Sequence, residues 1–507
     1  MQWDVIMPLA VYLLLMIGVA YWAFTKRHSA AAGGMSAQYY IGGRSLGWVV
    51  LVFTLLASGA SAGTFIGAPG LVYDQGYGWV IAIMGQAPVA FLVLGLLGKR
   101  FAILARKLGI VTVVDVLRQR YESGVVVGLA AIGIVVFLTS YMVAQFTGGA
   151  RVIQALTGVP YLWVVIISAG VVTLYTALGG FLADAVSDTV QGLIMLVGGV
   201  VLWVAILTAV GGMPSVTERV ARQDPELLLL PGAGEFTTSL LFSYFVVFGL
   251  MAVALPHLTV RAMSYRDTDA MHKAMFMGPI IMTVFTLGFA TMGVVARVLM
   301  PNIETGDLAV PELIIDMLPG PLAGALLTAP LAAIMSTVDS MLLIVSATIV
   351  RDLYVTYIKP STSDRRASTM GSTVSALCGL VVLLLALRPP EYLEYLVIFS
   401  IGGLGSMFFV PLLGGLYWRR ANTTAAILSM LGGLTTFVVT TQWLPEAALG
   451  FDPNVVAVFV SMVLFVVGAY AGPPPSQNVL IKFWGTNRDV QRVLARERGE
   501  SAPAQAN

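Results

Sequence analysis

The sequence predicts an all-α polytopic membrane protein with about thirteen transmembrane helices. Of its 507 residues, 58% are hydrophobic and only 11% are charged, and the mean hydropathy is +0.88. Apolar runs of about 17 to 30 residues, long enough to cross a bilayer as helices, recur along the chain. Lys and Arg gather in alternate connections between these runs. These three observations exclude an ordinary soluble protein and imply a lipid bilayer as the surroundings.

The predicted spans are bounded by charged residues or by clusters of Gly and Pro. They cover residues 5–24, 48–72, 78–98, 125–150, 161–178, 185–210, 237–258, 274–299, 322–350, 369–387, 393–417, 423–441 and 454–471. The first run follows only four residues, none of them basic, so it is predicted to be a spanning helix and not a cleaved signal.

The placement of basic residues predicts the orientation. If the N-terminus lies outside and the C-terminus in the cytoplasm, 23 of the 28 Lys and Arg residues, Arg261 among them, fall in inner loops or the tail. The alternation also favours an odd number of spans. We therefore expect a multi-pass protein of the cell inner (plasma) membrane, and the net charge of +2 gives no reason to expect a nucleic-acid partner.

Several classes of activity lack their characteristic residues in this sequence. It contains no P-loop, no HExxH motif, no cluster of Cys and His, and no nucleophile elbow. The single cysteine, Cys378, cannot form an internal disulfide. ATP-driven transport and membrane metalloprotease chemistry are therefore not expected, and the chain is predicted not to be an enzyme.

Two spans contain helix-breaking sequences at matching positions in two halves of the chain. Span two carries Ala57 to Thr64, rich in Ser, Gly and Ala, and span seven carries Ala254-Leu255-Pro256-His257. Paired breaks of this kind are typical of inverted repeats whose discontinuous helices bind ions and substrate near the membrane midplane. The predicted organisation is a first helix and inner loop (1–47), a five-helix repeat (48–212), an extracellular connector (213–236), a second repeat (237–418), two C-terminal helices (419–472) and a cytoplasmic tail (473–507).

Span nine carries a polar patch inside a long apolar run. At 100° per residue, Ala333, Ser336, Thr337 and Ser340 share one helix face, and Asp339 lies at its margin. Hydroxyl and carbonyl oxygens are suitable ligands for Na⁺. Ser and Thr also allow close helix packing in membranes, and that interpretation stays open for the hydroxyls alone. Packing gives no reason for the carboxylate of Asp339.

Several longer strings resemble the sodium:solute symporter family. They are Tyr39-Tyr40-Ile41-Gly42-Gly43-Arg44, Phe65-Ile66-Gly67-Ala68-Pro69-Gly70, Gly179-Gly180, Ser187-Asp188-Thr189-Val190-Gln191, and Ala332 to Thr337 followed by Arg351-Asp352-Leu353-Tyr354. Within that family the chain most resembles the sodium/pantothenate symporters, on the strings Gly98 to Arg106, Gln145 to Arg151, Leu255-Pro256-His257 and Gly415-Leu416-Tyr417-Trp418. The resemblance implies thirteen spans and a leucine-transporter-like fold with two inverted five-helix repeats.

The resemblance also implies sodium as the coupling ion and two places for it. A first site would be formed by backbone oxygens of Ala57, Ala60 and Ala333 and by the hydroxyls of Ser336 and Thr337. A possible second site would involve Asp188, Asp339 and Ser340, where Asp339 replaces a hydroxyl found in some family members. Two carboxylates at this site could bind Na⁺ more tightly, or one of them could be protonated because like charges repel. Alternatively, Asp188 could be a helix cap at the start of span six, and Asp184 is expected only to cap that helix.

A substrate pocket is expected around the two breaks. The candidate residues combine hydroxyl, amide, imidazole and aromatic groups: Ser61, Thr64, Gln86, Tyr141, Gln145, Phe248 and His257. Such a pocket would suit a small polar molecule, and N–H groups at a half-helix N-terminus would suit its carboxylate. For His257, simple hydrogen bonding to nearby backbone remains an alternative.

These features and the resemblance together predict a sodium-coupled symporter that imports a small organic carboxylate, and the resemblance implies pantothenate as the substrate. One alternative is the same fold coupled to Na⁺ or H⁺ and carrying another solute, such as a monocarboxylate or proline. A membrane sensor or channel with this fold is the alternative from another class.

Overall fold

The computed structural model describes residues 3–27, 44–232, 236–388 and 393–497, and its regular elements there are helices. We number the main helices α1 to α20. They are α1 (Trp3–Arg27), α2 (Trp48–Gly59), α3 (Gly63–Gln75), α4 (Tyr77–Leu108), α5 (Val113–Tyr121), α6 (Gly124–Thr157), α7 (Tyr161–Phe181), α8 (Asp184–Val210), α9 (Gly212–Gln223), α10 (Thr238–Ala254), α11 (Pro256–Met263), α12 (Thr268–Leu299), α13 (Ala309–Met317), α14 (Gly320–Ile358), α15 (Asp364–Ala386), α16 (Leu393–Tyr417), α17 (Thr423–Gln442), α18 (Pro453–Ala471), α19 (Gln477–Trp484) and α20 (Asn487–Glu497).

Ten of these helices in the described residues are long and apolar enough to cross a membrane, and the number reaches twelve when each of two bent pairs is counted as one span. The apolar part of α1, Trp3–Val19, is shorter. The predicted count of thirteen therefore depends on α1 and stays a prediction. The predicted connector 213–236 is partly helical, because α9 occupies its first half.

Both predicted helix breaks are present. The axes of α2 and α3 differ by 68°, and those of α10 and α11 differ by 55°. At the second break Leu255 has an extended backbone (φ −74°, ψ 115°) and Pro256 begins α11. Steric contact with the proline ring keeps the preceding residue out of the helical region of φ/ψ space. Proline itself fits the first turn of a helix, because a backbone N–H at that position would have no acceptor within the helix.

A third interruption separates α7 from α8. Gly180 has φ 61° and ψ −155°, a conformation that only glycine adopts readily. The chain therefore turns within a few residues between two spans that the sequence placed at 161–178 and 185–210. As a result, the start of α8 with its two acidic residues points into the bundle.

Helix α14 lies at the centre of the bundle. In its most apolar 18-residue window 94% of the residues are buried, compared with 28% for α15. It packs against α1, α2, α6 and the consecutive helices α7 and α8. Polar side chains on α14 are therefore surrounded by protein and not by lipid, so each can find a partner.

We name the two sides of the bundle after the ends of α1. At the Trp3 face, α14 begins close to α1, since a Cβ on Gly320 would lie 1.7 Å from Asp4 Oδ2. At the Arg27 face, Lys107 Nζ donates to the Gly485 carbonyl oxygen at 3.1 Å, so the tail helices pack against the bundle there. The motif residues 39–43 and the last part of the predicted tail, 498–507, lie outside the described residues.

Candidate ion and substrate sites

One group of polar atoms lies where the broken end of α2 meets the middle of α14. Ser336 Oγ is 2.9 Å from the Ala57 carbonyl oxygen, and Thr337 Oγ1 is 3.2 Å from that of Ala60. Both hydroxyls also lie within 3.0 Å of the Ala333 carbonyl oxygen. The structure thus brings together all five residues of the predicted first sodium site, and all five are fully buried.

The break in α2 explains why these carbonyl groups face α14. Helix α2 ends at Gly59, and Ala60 turns to an extended backbone with φ −87° and ψ 117°. Carbonyl groups in the last turn of a helix lack intrahelical donors. Three carbonyl and two hydroxyl oxygens converge here without formal charge, which is a donor set that suits a hard monovalent cation inside a membrane.

A second group contains three carboxylates, one helical turn closer to the Arg27 face. Oxygens of Asp184 and Asp188 on α8 and of Asp339 on α14 lie within 4.8 Å of one another, and none of the three side chains is exposed. Ser340, which was predicted with Asp188 and Asp339 for a second cation, donates to Asp184 Oδ1 at 2.8 Å. The expectation that Asp184 only caps a helix is wrong, because its carboxylate cross-links helices.

Arg261 on α11 binds this group. Its Nη2 donates to Asp188 Oδ2 at 2.9 Å, to Asp184 Oδ2 at 3.0 Å and to Ser340 Oγ at 2.6 Å. Its Nε donates to Thr54 Oγ1 on α2 at 3.1 Å. The prediction that Arg261 lies in an inner loop is wrong, since only 1% of its side chain is exposed.

Several hydroxyl groups also donate to the carboxylates. Tyr175 OH donates to Asp339 Oδ2 at 2.7 Å, and Ser187 Oγ lies 3.3 Å from the same atom. Thr54 Oγ1 donates to Asp188 Oδ2 at 2.5 Å. Asp188 Oδ1 has no hydrogen-bond partner among the described residues. The predicted residues Asp188 and Asp339 therefore face different partners within the group.

A cavity lies beside the two helix breaks. Six of the seven residues predicted for the substrate line it: Ser61, Thr64, Gln86, Tyr141, Phe248 and His257. Thr64 Oγ1 lies 3.4 Å from Gln86 Oε1, and His257 Nδ1 has no partner in the part of the chain that the structure describes. These polar groups can bind hydroxyl, amide or carboxylate groups of a small molecule.

Gln145 is the seventh predicted substrate residue, and it does not line the cavity. Its Oε1 accepts a hydrogen bond from the backbone N–H of Ala62 at 2.8 Å, and the side chain is fully buried. The amide thus holds the non-helical backbone between α2 and α3. Gln145 supports the shape of the break and is a positioning residue for Ser61.

The cavity extends toward the Trp3 face. Leu71, Trp79 and Val397 line it on that side. Trp79 stacks on Phe236 with ring centroids 5.0 Å apart, and Tyr244 stacks on Phe248 at 5.8 Å. Of these four rings, Trp79 and Phe248 line the cavity, and Phe236 and Tyr244 pack against them.

Sequence reasoning missed Arg261, Asp184, Thr54 and Tyr175 as members of the carboxylate group. One signal was available for Arg261. Two acidic residues in predicted spans, Asp188 and Asp339, require compensating charge, and Arg261 lies one helical turn after His257, just past the predicted end of the broken span seven. The positions of Thr54 and Tyr175 depend on how α2 and α7 rotate, which no sequence motif specified.

The sequence profile of the sodium:solute symporter family matches residues 39–433, which is well over half of the chain. The chain belongs to the sodium:solute symporter family. It is 38% identical to the sodium/pantothenate symporter of Escherichia coli (strain K12) over 485 residues, covering 95% of this chain and 99% of the relative. It is 34% identical to the sodium/pantothenate symporter of Haemophilus influenzae over 475 residues, covering 93% of this chain and 97% of the relative.

A solved structure confirms the fold of this family member. The substrate-bound, outward-open state of a Na⁺-coupled sialic acid symporter aligns with a TM-score of 0.78 at 19% identity, covering 94% of this chain and 99% of that chain. With the two bent spans, this likeness establishes the predicted leucine-transporter-like fold. Membership in a transporter family also agrees with the prediction that the chain is not an enzyme.

Proposed function

We propose that this chain is a sodium-coupled symporter that imports pantothenate across the plasma membrane. The observation that carries this proposal is the pairing of Ser336 and Thr337 with carbonyl oxygens of the broken helix α2, directly beside the cavity. The sodium/pantothenate symporters among its relatives, aligned over nearly their whole length, support the choice of substrate.

The cavity suits the chemistry of pantothenate, which has one carboxylate, one amide and two hydroxyl groups. Ser61, Thr64, Tyr141 and Gln86 offer hydroxyl and amide groups for the polar part. The Gly63 N–H at the start of α3 donates to Ser61 Oγ at 3.1 Å, and a substrate carboxylate can replace that hydroxyl. Leu255, Leu258 and Phe248 supply apolar surface for the dimethyl group.

Coupling follows from the short distance along the chain between the two sites. Ala60 belongs to the proposed ion site, and the next residue, Ser61, lines the cavity. A sodium ion bound by Ala57, Ala60, Ala333, Ser336 and Thr337 would hold α2 against α14 and fix the backbone that presents Ser61. Because such an ion binds one arrangement of α2 better than another, it shifts the population toward the state that binds substrate.

The orientation in this proposal places the Trp3 face outside and the tail helices in the cytoplasm. The distribution of Lys and Arg supports it, even after Arg261 is removed from the loop residues. The cavity then extends toward the outside, where sodium is abundant. A single cysteine introduced at exposed Arg222 should react with an impermeant maleimide from outside, and one at exposed Arg365 should not.

Uptake into proteoliposomes tests the coupling ion. An inward sodium gradient at fixed pH should drive the accumulation of labelled pantothenate, and replacement of sodium by choline should abolish this accumulation. Equal uptake in both would refute sodium coupling. Accumulation driven by a pH gradient in choline would instead support the proton-coupled alternative.

A thermal-shift screen of the purified protein tests the substrate. A ligand that binds only the folded state raises the unfolding temperature by mass action. Pantothenate should stabilise the protein more in sodium than in choline, whereas proline and small monocarboxylates should not. A larger shift with one of those solutes would change the substrate and leave the symport mechanism in place.

Electrical currents far above carrier turnover would identify a channel.

A further inference from the structure

The guanidinium of Arg261 lies among the oxygen atoms that a second sodium ion would need. Two of the three residues predicted for that ion, Asp188 and Ser340, lie 2.9 Å and 2.6 Å from Arg261 Nη2. Asp184 lies 3.0 Å from the same atom. One nitrogen atom therefore contacts three oxygen groups on two helices, as a small cation would.

The third predicted residue is engaged elsewhere. Asp339 Oδ2 accepts hydrogen bonds from Tyr175 and Ser187, and Asp339 Oδ1 accepts from the backbone N–H of Ser340 at 2.6 Å. The carboxylate thus has hydroxyl and amide donors in place of a cation. A second ion that bound Asp188 Oδ2 or Ser340 Oγ would have to displace Arg261, and one that bound Asp339 would have to displace these donors. Asp188 Oδ1 has no partner among the described residues.

The location of Arg261 connects it to the proposed first site. Ser340 lies one helical turn from Ser336 on α14, and Ser58 Oγ on α2 lies 3.1 Å from Ser340 Oγ. Arg261 also donates to Thr54 on α2 and to the His257 carbonyl oxygen on α11. The guanidinium therefore joins both broken spans to α8 and α14, on the Arg27 side of the first site.

We infer that Arg261 is a resident cation that takes the place of a second sodium ion, so that this symporter moves one sodium ion with each substrate molecule. The inference rests on the proposed function. Arginine suits this role because its charge is permanent and its planar fork can bind several acidic oxygens at once. A tethered charge also stabilises buried carboxylates in every cycle without being released.

The stoichiometry has an electrical consequence. Pantothenate carries one negative charge at neutral pH, so one sodium ion makes the transported pair neutral, and two would carry one net positive charge inward. With one ion, the steady-state accumulation ratio depends on the sodium gradient and not on the membrane potential. With two, an inside-negative potential raises the ratio.

The test measures labelled sodium and labelled pantothenate entering the same proteoliposomes, with a potassium diffusion potential imposed or absent and the pH equal on both sides. We expect about one sodium ion per pantothenate and no effect of potential on the accumulation ratio. Two sodium ions per pantothenate in the unmodified protein would overturn the inference and leave the proposed function standing. Pantothenate uptake without any coupled sodium entry would refute both the inference and the proposed function.

Two variants test the role of the charge itself. Arg261→Met leaves the buried carboxylates of Asp184 and Asp188 without the cation that binds them, so sodium should bind in its place, and the flux ratio should rise toward two with a new dependence on potential. Arg261→Lys keeps one positive charge and should keep a ratio of one. If Arg261→Met is active with an unchanged ratio of one, Arg261 is only a structural cross-link. If Arg261→Met does not fold, the number of sodium ions that the unmodified protein moves per pantothenate still decides between one ion and two.

Discussion

Ser336 Oγ on α14 lies 2.9 Å from the carbonyl oxygen of Ala57, near the point where α2 breaks. Ser61, only four residues after Ala57, lines the cavity. An ion that binds at this contact therefore acts on the backbone that shapes the cavity. The same contact unites the two predicted repeats, because α2 comes from the first and α14 from the second.

Removal of one hydroxyl should weaken the response to sodium. A polar contact to a charged group is worth about 1.5–3 kcal/mol, so Ser336→Ala should raise the sodium concentration for half-maximal uptake about ten- to a hundredfold. Ser346→Ala is the matched control, because Ser346 is equally buried on α14 but donates only to the Leu343 carbonyl oxygen. Equal sodium responses in both variants would place the ion elsewhere.

Loss of the Gln145 amide should affect the substrate more than the ion. Gln145→Leu removes the acceptor for the Ala62 N–H and loosens the backbone that presents Ser61. We expect a higher KM for pantothenate, by about tenfold for a lost buried hydrogen bond. Gln145→Glu keeps an acceptor oxygen and should restore much of the affinity. A Gln145→Leu variant with unchanged KM would show that this contact does not shape the pocket.

Close packing of α3 against α12 depends on Gly293. A Cβ at this position would lie 2.1 Å from the Pro69 carbonyl oxygen, which is backbone and cannot swing away. Gly293→Ala should therefore destabilise the protein by about 1–3 kcal/mol, seen as a lower unfolding temperature in detergent. Gly288→Ala is the control on the same helix, because it gains the same helix propensity. The Cβ added there would lie 3.7 Å from the Trp203 side chain, which is an ordinary van der Waals contact. Equal unfolding temperatures of the two variants would contradict this packing.

Asp307, in the loop at the Trp3 face, should make stability depend on pH. Burial and the neighbouring Asp74 raise the pKa of Asp307 above its ordinary value. An acid whose pKa is higher in the folded state destabilises the protein once it ionises, so the cost appears as the pH rises past the unfolded-state pKa and is complete above the folded one.

Asp307→Asn should therefore unfold at a higher temperature than the unmodified protein near neutral pH, and the difference should shrink on acidification. Glu304→Gln in the same loop is the control, since Glu304 is exposed, and it should give no comparable difference. A pH-independent effect of Asp307→Asn would mean that its carboxylate acts through something other than its charge.

The fold was predictable because spans in a membrane need long apolar runs and because the breaks carry Gly, Ser and Pro. The same reasoning singled out Ser336 and Thr337, since hydroxyl groups deep in an apolar helix must face polar atoms, and the family resemblance supplied the carbonyl groups of the predicted ion site. The contact of each hydroxyl with one particular carbonyl group follows from the packing of α2 on α14, which the sequence indicates only through family resemblance.

The carboxylate group was only partly predictable. Asp188 and Asp339 stand out as acids within apolar runs, whereas Arg261 lies near the end of a short half-helix, where a basic residue normally marks a loop. Its position among Asp184 and Asp188 results from the bend at Leu255, which turns α11 toward the bundle axis. Gln145 likewise resembled a pocket residue, and only the path of the chain at Ala62 shows that it holds the backbone.

Equilibrium binding of labelled pantothenate to the purified protein, over a range of sodium concentrations at fixed pH and ionic strength, tests the coupling most directly. If sodium bound between α2 and α14 prepares the pocket, pantothenate affinity should rise with sodium, and Ser336→Ala should need more sodium for the same rise. Pantothenate affinity that is the same in sodium and in choline would contradict the account.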